Sequence, residues 1–188
     1  KLSKCKGIVR VGTGVDNVDL KAAAEAGIVV SNVPDYGIND VADHTLALIL
    51  SLERGILRFN QSILDKGPWD WELGANLERI HGKTIGIIGM GRIGTAVAMR
   101  SKAFGLNVLF YDPYISVGME KSLNVSRVNE LKDLLNRSDI ITIHTPLTDI
   151  TKGMVDSEFF QQMKRGSSLI NTARGEIILM DDLYGALK

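Results

Sequence analysis

Cysteine is almost absent: Cys5 is the only one in 188 residues, so no internal disulfide can form and a disulfide-stapled scaffold is excluded. It sits between two lysines with no histidine paired to it, which favours a structural thiol over a nucleophile. Net charge is missing as well, because 22 basic residues balance 22 acidic ones. That argues against nucleic acid or an anionic membrane as a partner held by a bulk field, although a local basic patch stays open. Long hydrophobic runs are also lacking: "TLALILSL" is stopped by Glu53 and Arg54, well short of the about 18 residues a spanning helix needs. There is no initial methionine, signal-peptide pattern, internal repeat or low-complexity segment. "KLSKCK" reads as the last turn of a helix, and "MDDLYGALK" as a helix just begun and capped by Asp181 or Asp182. The expectation is a cytoplasmic globular protein represented by its middle portion, truncated at both ends.

What is present is alternation. Ile8 to Val11 form a β-branched run closed by the glycines of "GTGVDNVDL". Alanine-rich "LKAAAEAG" and the apolar "IVVSNVP" complete a βαβ unit. From Asn39 onward, polar caps and then Leu46, Ile49, Leu50, Ile56, Leu57 and Ile63 at helical spacing predict one connecting helix. "DKGPWDWELGANLERIHG" has no period and reads as a linker or protruding arm, with Trp69 and Trp71 either facing a partner or buried between domains. Beyond it, strands are expected at Thr84–Ile88, Val108–Tyr111, Val125–Val128, Ile140–His144 and Ser168–Asn171, with helices at Arg92–Phe104, Asn129–Asn136 and Ser157–Met163. Such alternation calls for a parallel α/β sheet with right-handed crossovers.

"TIGIIGMGRIGTAVA" carries Gly89, Gly91 and Gly94 in G-x-G-x-x-G spacing, directly after an apolar strand and at the head of an amphipathic helix. In that setting Gly89 makes the tight turn, Gly91 leaves room for a pyrophosphate and Gly94 lets helix and strand pack closely. The helix dipole and its free N–H groups favour phosphate, and Arg92 adds a charge-assisted bond. Asp112, about twenty residues further on, is placed to accept from ribose hydroxyls and to repel a 2′-phosphate, which points to NAD rather than NADP. Methyltransferases and flavoproteins share glycine-rich turns, so the fingerprint alone leaves the cofactor open.

Two later loops lie where ligands of open α/β sheets sit, beyond the carboxyl ends of the strands. Thr145, Pro146 and Leu147 could wall a nicotinamide, with Thr151 capping the next turn, but such residues also serve simply as turn formers. Arg174 could grip a substrate carboxylate and polarise a neighbouring carbonyl, or it could be a helix-end or phosphate-side arginine.

"VRVGTGVDNVDL", "VADHTLALIL", "GKTIGIIGMGRIG", "FYDPY", "HTPLT" and "INTARGE" occur in this order. Together they resemble the D-isomer-specific 2-hydroxyacid dehydrogenases over essentially Ile8 to Lys188, and "KAFGLNVLFYDPY" also resembles the C-terminal binding protein branch of that fold. The resemblance implies a Rossmann-type doubly wound sheet plus part of a flavodoxin-like substrate domain. Residues 1–38 would be the end of that substrate domain, 39–82 an interdomain helix and dimerisation arm, and 83–188 an NAD-binding domain. It implies that Arg174 is the catalytic, substrate-binding arginine, that Thr13 and Gly14 offer backbone amides to the substrate carboxylate, and that Tyr36 lies in the substrate pocket. Gly89, Gly91, Arg92, Ile93, Gly94, Asp112, Thr145, Pro146, Thr151 and Ala173 are the expected cofactor positions.

The family's acid/base histidine and its glutamate lie beyond Lys188, and His44, His81 and His144 are each read as structural. The implied activity is interconversion of a small D-2-hydroxy acid and its 2-oxo acid with NAD, in a homodimer without nucleic-acid or membrane partners. The alternative is an NAD(H)-sensing dimeric interaction protein like the co-repressors.

Overall fold

The structure, a computed structural model, describes residues 4–188. The helical turn expected over "KLSKCK" falls partly outside the described residues, and Lys4 to Lys6 form no helix. Two short strands come first. β1 (Gly7–Arg10) and β2 (Val29–Asn32) pair in parallel, with Gly7 opposite Val29 and Arg10 opposite Asn32. Their crossover is α1 (Leu20–Glu25), started by Asp19, whose carboxylate accepts from the Ala22 N–H at 2.9 Å.

The connecting helix differs from expectation in being two helices. α2 (Ile38–Glu53) and α3 (Ile56–Leu64) are separated at Gly55, which takes φ +62°, a left-handed conformation that ends a helix at little cost only for glycine. The two helices also differ in what they bury. α2 turns Ala42, Leu46 and Ile49 into the core, whereas α3 buries no residue and leaves Ile56, Leu57 and Ile63 exposed. The stretch that follows contains one 3₁₀ turn, Trp71–Gly74. Trp69 stacks on Phe59 with ring centroids 5.7 Å apart, yet both tryptophans are about seven-tenths exposed, at 71% and 70%. Among the described residues, neither tryptophan is buried between domains.

The remainder is a five-stranded parallel sheet. Its strands are β3 (Thr84–Ile88), β4 (Asn107–Tyr111), β5 (Ser126–Arg127), β6 (Ile140–Ile143) and β7 (Ser168–Asn171), in spatial order β5-β4-β3-β6-β7. Chain order reverses direction at β3, so β3 borders the crevice where such sheets bind ligands. Period-2 alternation sends side chains into two cores. Ile85, Ile87, Phe110, Ile140 and Ile170 pack with α2 and α4 (Arg92–Ala103) on one face. Ile88, Leu109, Ile141 and Ile143 pack on the other with α6 (Leu131–Arg137) and α7 (Ser157–Gln162). Gly86 is small because a Cβ there would run into Ser138 and Leu134 beneath α6.

Smaller departures lie at the sheet's edge. α5 (Met119–Leu123) was not expected, the expected strand Val125–Val128 contracts to the two residues of β5, and α6 begins at Leu131. α8 (Met180–Ala186) closes the described chain, two of its acids in the first turn. Among the described residues no helix is long and apolar enough to cross a membrane.

Candidate functional site

The glycine turn between β3 and α4 has the geometry that its spacing calls for. Gly89 sits at φ +90°, and a Cβ there would come within 2.9 Å of the His144 carbonyl. A Cβ on Gly94 would overlap the Gly89 carbonyl, so helix and strand touch backbone to backbone at that point. At Gly91 a Cβ would meet no protein atom within 4 Å. The first two glycines are thus demanded by the protein itself, and the third keeps an outward face of the loop clear. Gly91 begins α4 without any side-chain cap, and exposed Arg92 is the helix's first residue. Uncapped first-turn amides with a cation beside them form a site for an anion.

Asp112 follows β4 and is tied to this turn. Its carboxylate accepts from the Met90 N–H and from the Tyr114 N–H, each at 2.9 Å, while the Gly89 N–H donates to the Tyr111 carbonyl at 3.0 Å. These bonds fix the acid beside the glycine turn.

A cleft of about 1130 Å³ opens beyond the carboxyl ends of the strands, between the β1–β2 layer and the five-stranded sheet. Thr13, Gly14 and Tyr36 line it from one side; Ile93, Thr145, Pro146, Ala173 and Arg174 line it from the other. Thr145 contributes a specific signal, since its hydroxyl is buried and has no hydrogen-bond partner. A buried polar atom left unpaired is costly, and a polar ligand in the cleft would satisfy it. Thr151 is not brought to the cleft: its hydroxyl donates to the Pro146 carbonyl at 2.6 Å and accepts from the Thr148 N–H at 2.8 Å, so it closes the loop.

Arg174 is held at the mouth by the end of β7. Asn171 donates to the Arg174 carbonyl at 2.8 Å and accepts from the Ala173 N–H at 2.9 Å, which shapes the loop that presents the guanidinium. Nε and Nη2 of Arg174 both donate to Asp16, at 3.1 Å and 2.7 Å, and Nη1 donates to the Ala173 carbonyl at 2.8 Å. The bonds to Arg174 hold the Asp16 carboxyl below its usual range, and the same bonds raise the already high pKa of Arg174. Gly14 lies directly beneath, where a Cβ would collide with Arg174 Nη2.

His144 also borders the cleft, but burial pushes its pKa down to about 4, and its Nε2 lies 3.0 Å from the Thr142 hydroxyl. A ring that is neutral at physiological pH and already bonded is a poor proton donor. His44 and His81 are exposed and neither lines the cleft.

Residues 46–188 match the profile of the D-isomer specific 2-hydroxyacid dehydrogenase family, NAD binding domain. The chain belongs to this family. Over its whole length it is 43% identical to D-3-phosphoglycerate dehydrogenase of Methanocaldococcus jannaschii, covering 36% of that protein. It is 38% identical to C-terminal-binding protein 1 of Caenorhabditis elegans, covering 26%. Among solved structures, D-lactate dehydrogenase of Aquifex aeolicus, crystallised with NAD and lactic acid, superposes with TM-score 0.88 at 37% identity over 97% of this chain and 54% of that one. Holo D-mandelate dehydrogenase of Rhodotorula graminis superposes with TM-score 0.92 at 31% identity, over 98% and 56%. The chain therefore spans about a third of its curated relatives and about half of its structural ones.

The fold is the Rossmann-type α/β sheet expected, and the cofactor is NAD. The glycine loop, the uncapped helix start and the unpaired Thr145 hydroxyl all fit it. Sequence reasoning missed Asp16 and Asn171. Asn171 had a local signal, standing at the head of "NTARG" where a side-chain amide can mimic a turn, whereas nothing local connects Asp16 to Arg174.

Proposed function

We propose that the full-length protein interconverts a small D-2-hydroxy acid and the corresponding 2-oxo acid. The observation that carries this reading is the placement of Arg174, whose guanidinium projects across the cleft onto the glycine loop of the β1–β2 layer. A planar fork there can take a carboxylate in two parallel bonds and draw electron density from the adjoining carbonyl. Thr13 and Gly14 would offer backbone amides to the same carboxylate, with Tyr36 as a wall of the pocket. NAD, when bound, supplies or accepts the hydride. Gly91 and Arg92 would receive its pyrophosphate, Asp112 the ribose hydroxyls, and Thr145, Pro146 and Ala173 the nicotinamide end. Residues 1–38 would then belong to the substrate domain, 39–82 to an interdomain helix and a dimerisation arm, the latter supported by the apolar α3 face and the exposed tryptophans, and 83–188 to the NAD-binding domain. The interaction-protein alternative has less support, because the two solved relatives named above are dehydrogenases.

The test follows NADH absorbance on the full-length protein with glyoxylate, pyruvate, hydroxypyruvate and 3-phosphohydroxypyruvate. Arg174→Ala should lower kcat/KM roughly a hundredfold or more, the loss expected for two charge-assisted bonds, with NADH affinity nearly kept. Unchanged turnover in that variant would remove Arg174 from the reaction. No turnover by the wild type despite NADH binding would remove the dehydrogenase reading altogether.

A further inference from the structure

Asp16 occupies the part of Arg174 that a substrate would need. Its carboxylate takes Nε and Nη2 as a bidentate pair, at 3.1 Å and 2.7 Å. The remaining terminal nitrogen is drawn on by the Ala173 carbonyl at 2.8 Å. The pair lies on Gly14, where a Cβ would approach Asp16 Oδ1 within 2.7 Å as well as striking Arg174. A carboxylate, a guanidinium fork and the glycine-loop backbone therefore meet at one point, and these are the parts a bound 2-oxo acid would bring together there.

We propose that Asp16 is a built-in competitor for the substrate carboxylate, an internal anion that must leave the Arg174 fork before an acid substrate can bind. This rests on the dehydrogenase reading above. The two side chains are each about a third exposed, at 34% for Arg174 and 38% for Asp16, so the pair is modest in strength and open to exchange. Arg10 lines the same cleft and its field already stabilises the Asp16 charge, which gives the displaced carboxylate a cation to turn to. The consequence is selectivity: a ligand able to replace Asp16 on the fork must itself carry a well-placed carboxylate, and neutral carbonyl compounds are kept out.

The experiment measures binding of oxamate, a non-reducible carboxylate isostere, to the NADH-loaded full-length protein, together with KM for the best 2-oxo acid. Asp16→Asn and Asp16→Ser should each tighten oxamate and lower KM about two- to fivefold, the occupancy penalty a partly exposed ion pair imposes on its competitor. In an Arg174→Gln background the gain should vanish. Equal or weaker oxamate binding in both Asp16 variants would overturn the competition. A gain of the same size surviving without Arg174 would also overturn it, because only a general field would then be at work. These results separate from failure of the underlying reading, in which Arg174→Gln itself would leave oxamate binding unchanged.

Discussion

Acidification provides a sharp test of the cleft wall, because His144 is buried there in its neutral form. Burial lowers its pKa from 6.5 to about 4. A depressed histidine pKa means that the unfolded chain takes up the proton first as pH falls, so its contribution to stability is complete above 6.5 and is lost progressively toward 4. Integrating the linkage between those two values gives a loss of about 2 kcal/mol at pH 5, rising to a maximum of about 3 kcal/mol at lower pH. Urea unfolding of the full-length protein at a series of pH values, wild type beside His144→Gln, isolates this group from the other titrations. The difference between the two stabilities should shrink, by about 2 kcal/mol between pH 7 and pH 5, as the wild type loses what the glutamine variant never had. Parallel curves would refute the buried neutral imidazole.

The remaining predictions concern the glycines and the network beneath the sheet. Gly91→Ala should leave the melting temperature unchanged yet weaken NADH about tenfold or more, because its Cβ meets only open space on the ligand side of the loop. Gly94→Ala should do the reverse in stability, costing about 1–3 kcal/mol through overlap with the Gly89 carbonyl, read as a lowered urea midpoint. Glu53 is buried, pairing with Lys83 at 2.7 Å and accepting from Ser168 at 2.9 Å. Glu53→Ala should therefore cost about 2–3 kcal/mol by urea unfolding, with NADH affinity unaffected.

What was legible in the sequence was local and periodic. Strands β3, β4 and β6 announced themselves because period 2 fed two cores, and the glycine turn because its spacing answers to covalent geometry. The break at Gly55 was hidden, since the apolar spacing runs straight through it and a glycine inside a helical pattern is tolerated at a cost of only about 1 kcal/mol. α5 and β5 are too short for any period to appear, spanning five and two residues. Within the site, Arg174 was visible as a residue type in a loop, but its partner lies 158 positions earlier in the chain and only the folded structure joins them.

That long-range bond has an unusual place in the architecture. α2, the expected connecting helix, packs its buried face on the sheet. Ala42, Leu46 and Ile49 lie in the core with Ile85 and Ile87, Thr45 shares a 3.0 Å hydrogen bond with Thr172, and Glu53 reaches Lys83 and Ser168 at the far end. Residues 4–37 are anchored differently. Among the described residues, the Asp16–Arg174 pair is their only side-chain hydrogen bond to anything beyond residue 37. A partly exposed ion pair of that kind contributes no more than about 1 kcal/mol, too little to lock two layers together. Among the described residues, the one side-chain hydrogen-bonded pair across the cleft is thus made by the arginine that the proposed reaction requires. Whatever replaces Asp16 on Arg174 therefore also breaks the one side-chain ion pair that, among the described residues, joins the β1–β2 layer to the sheet.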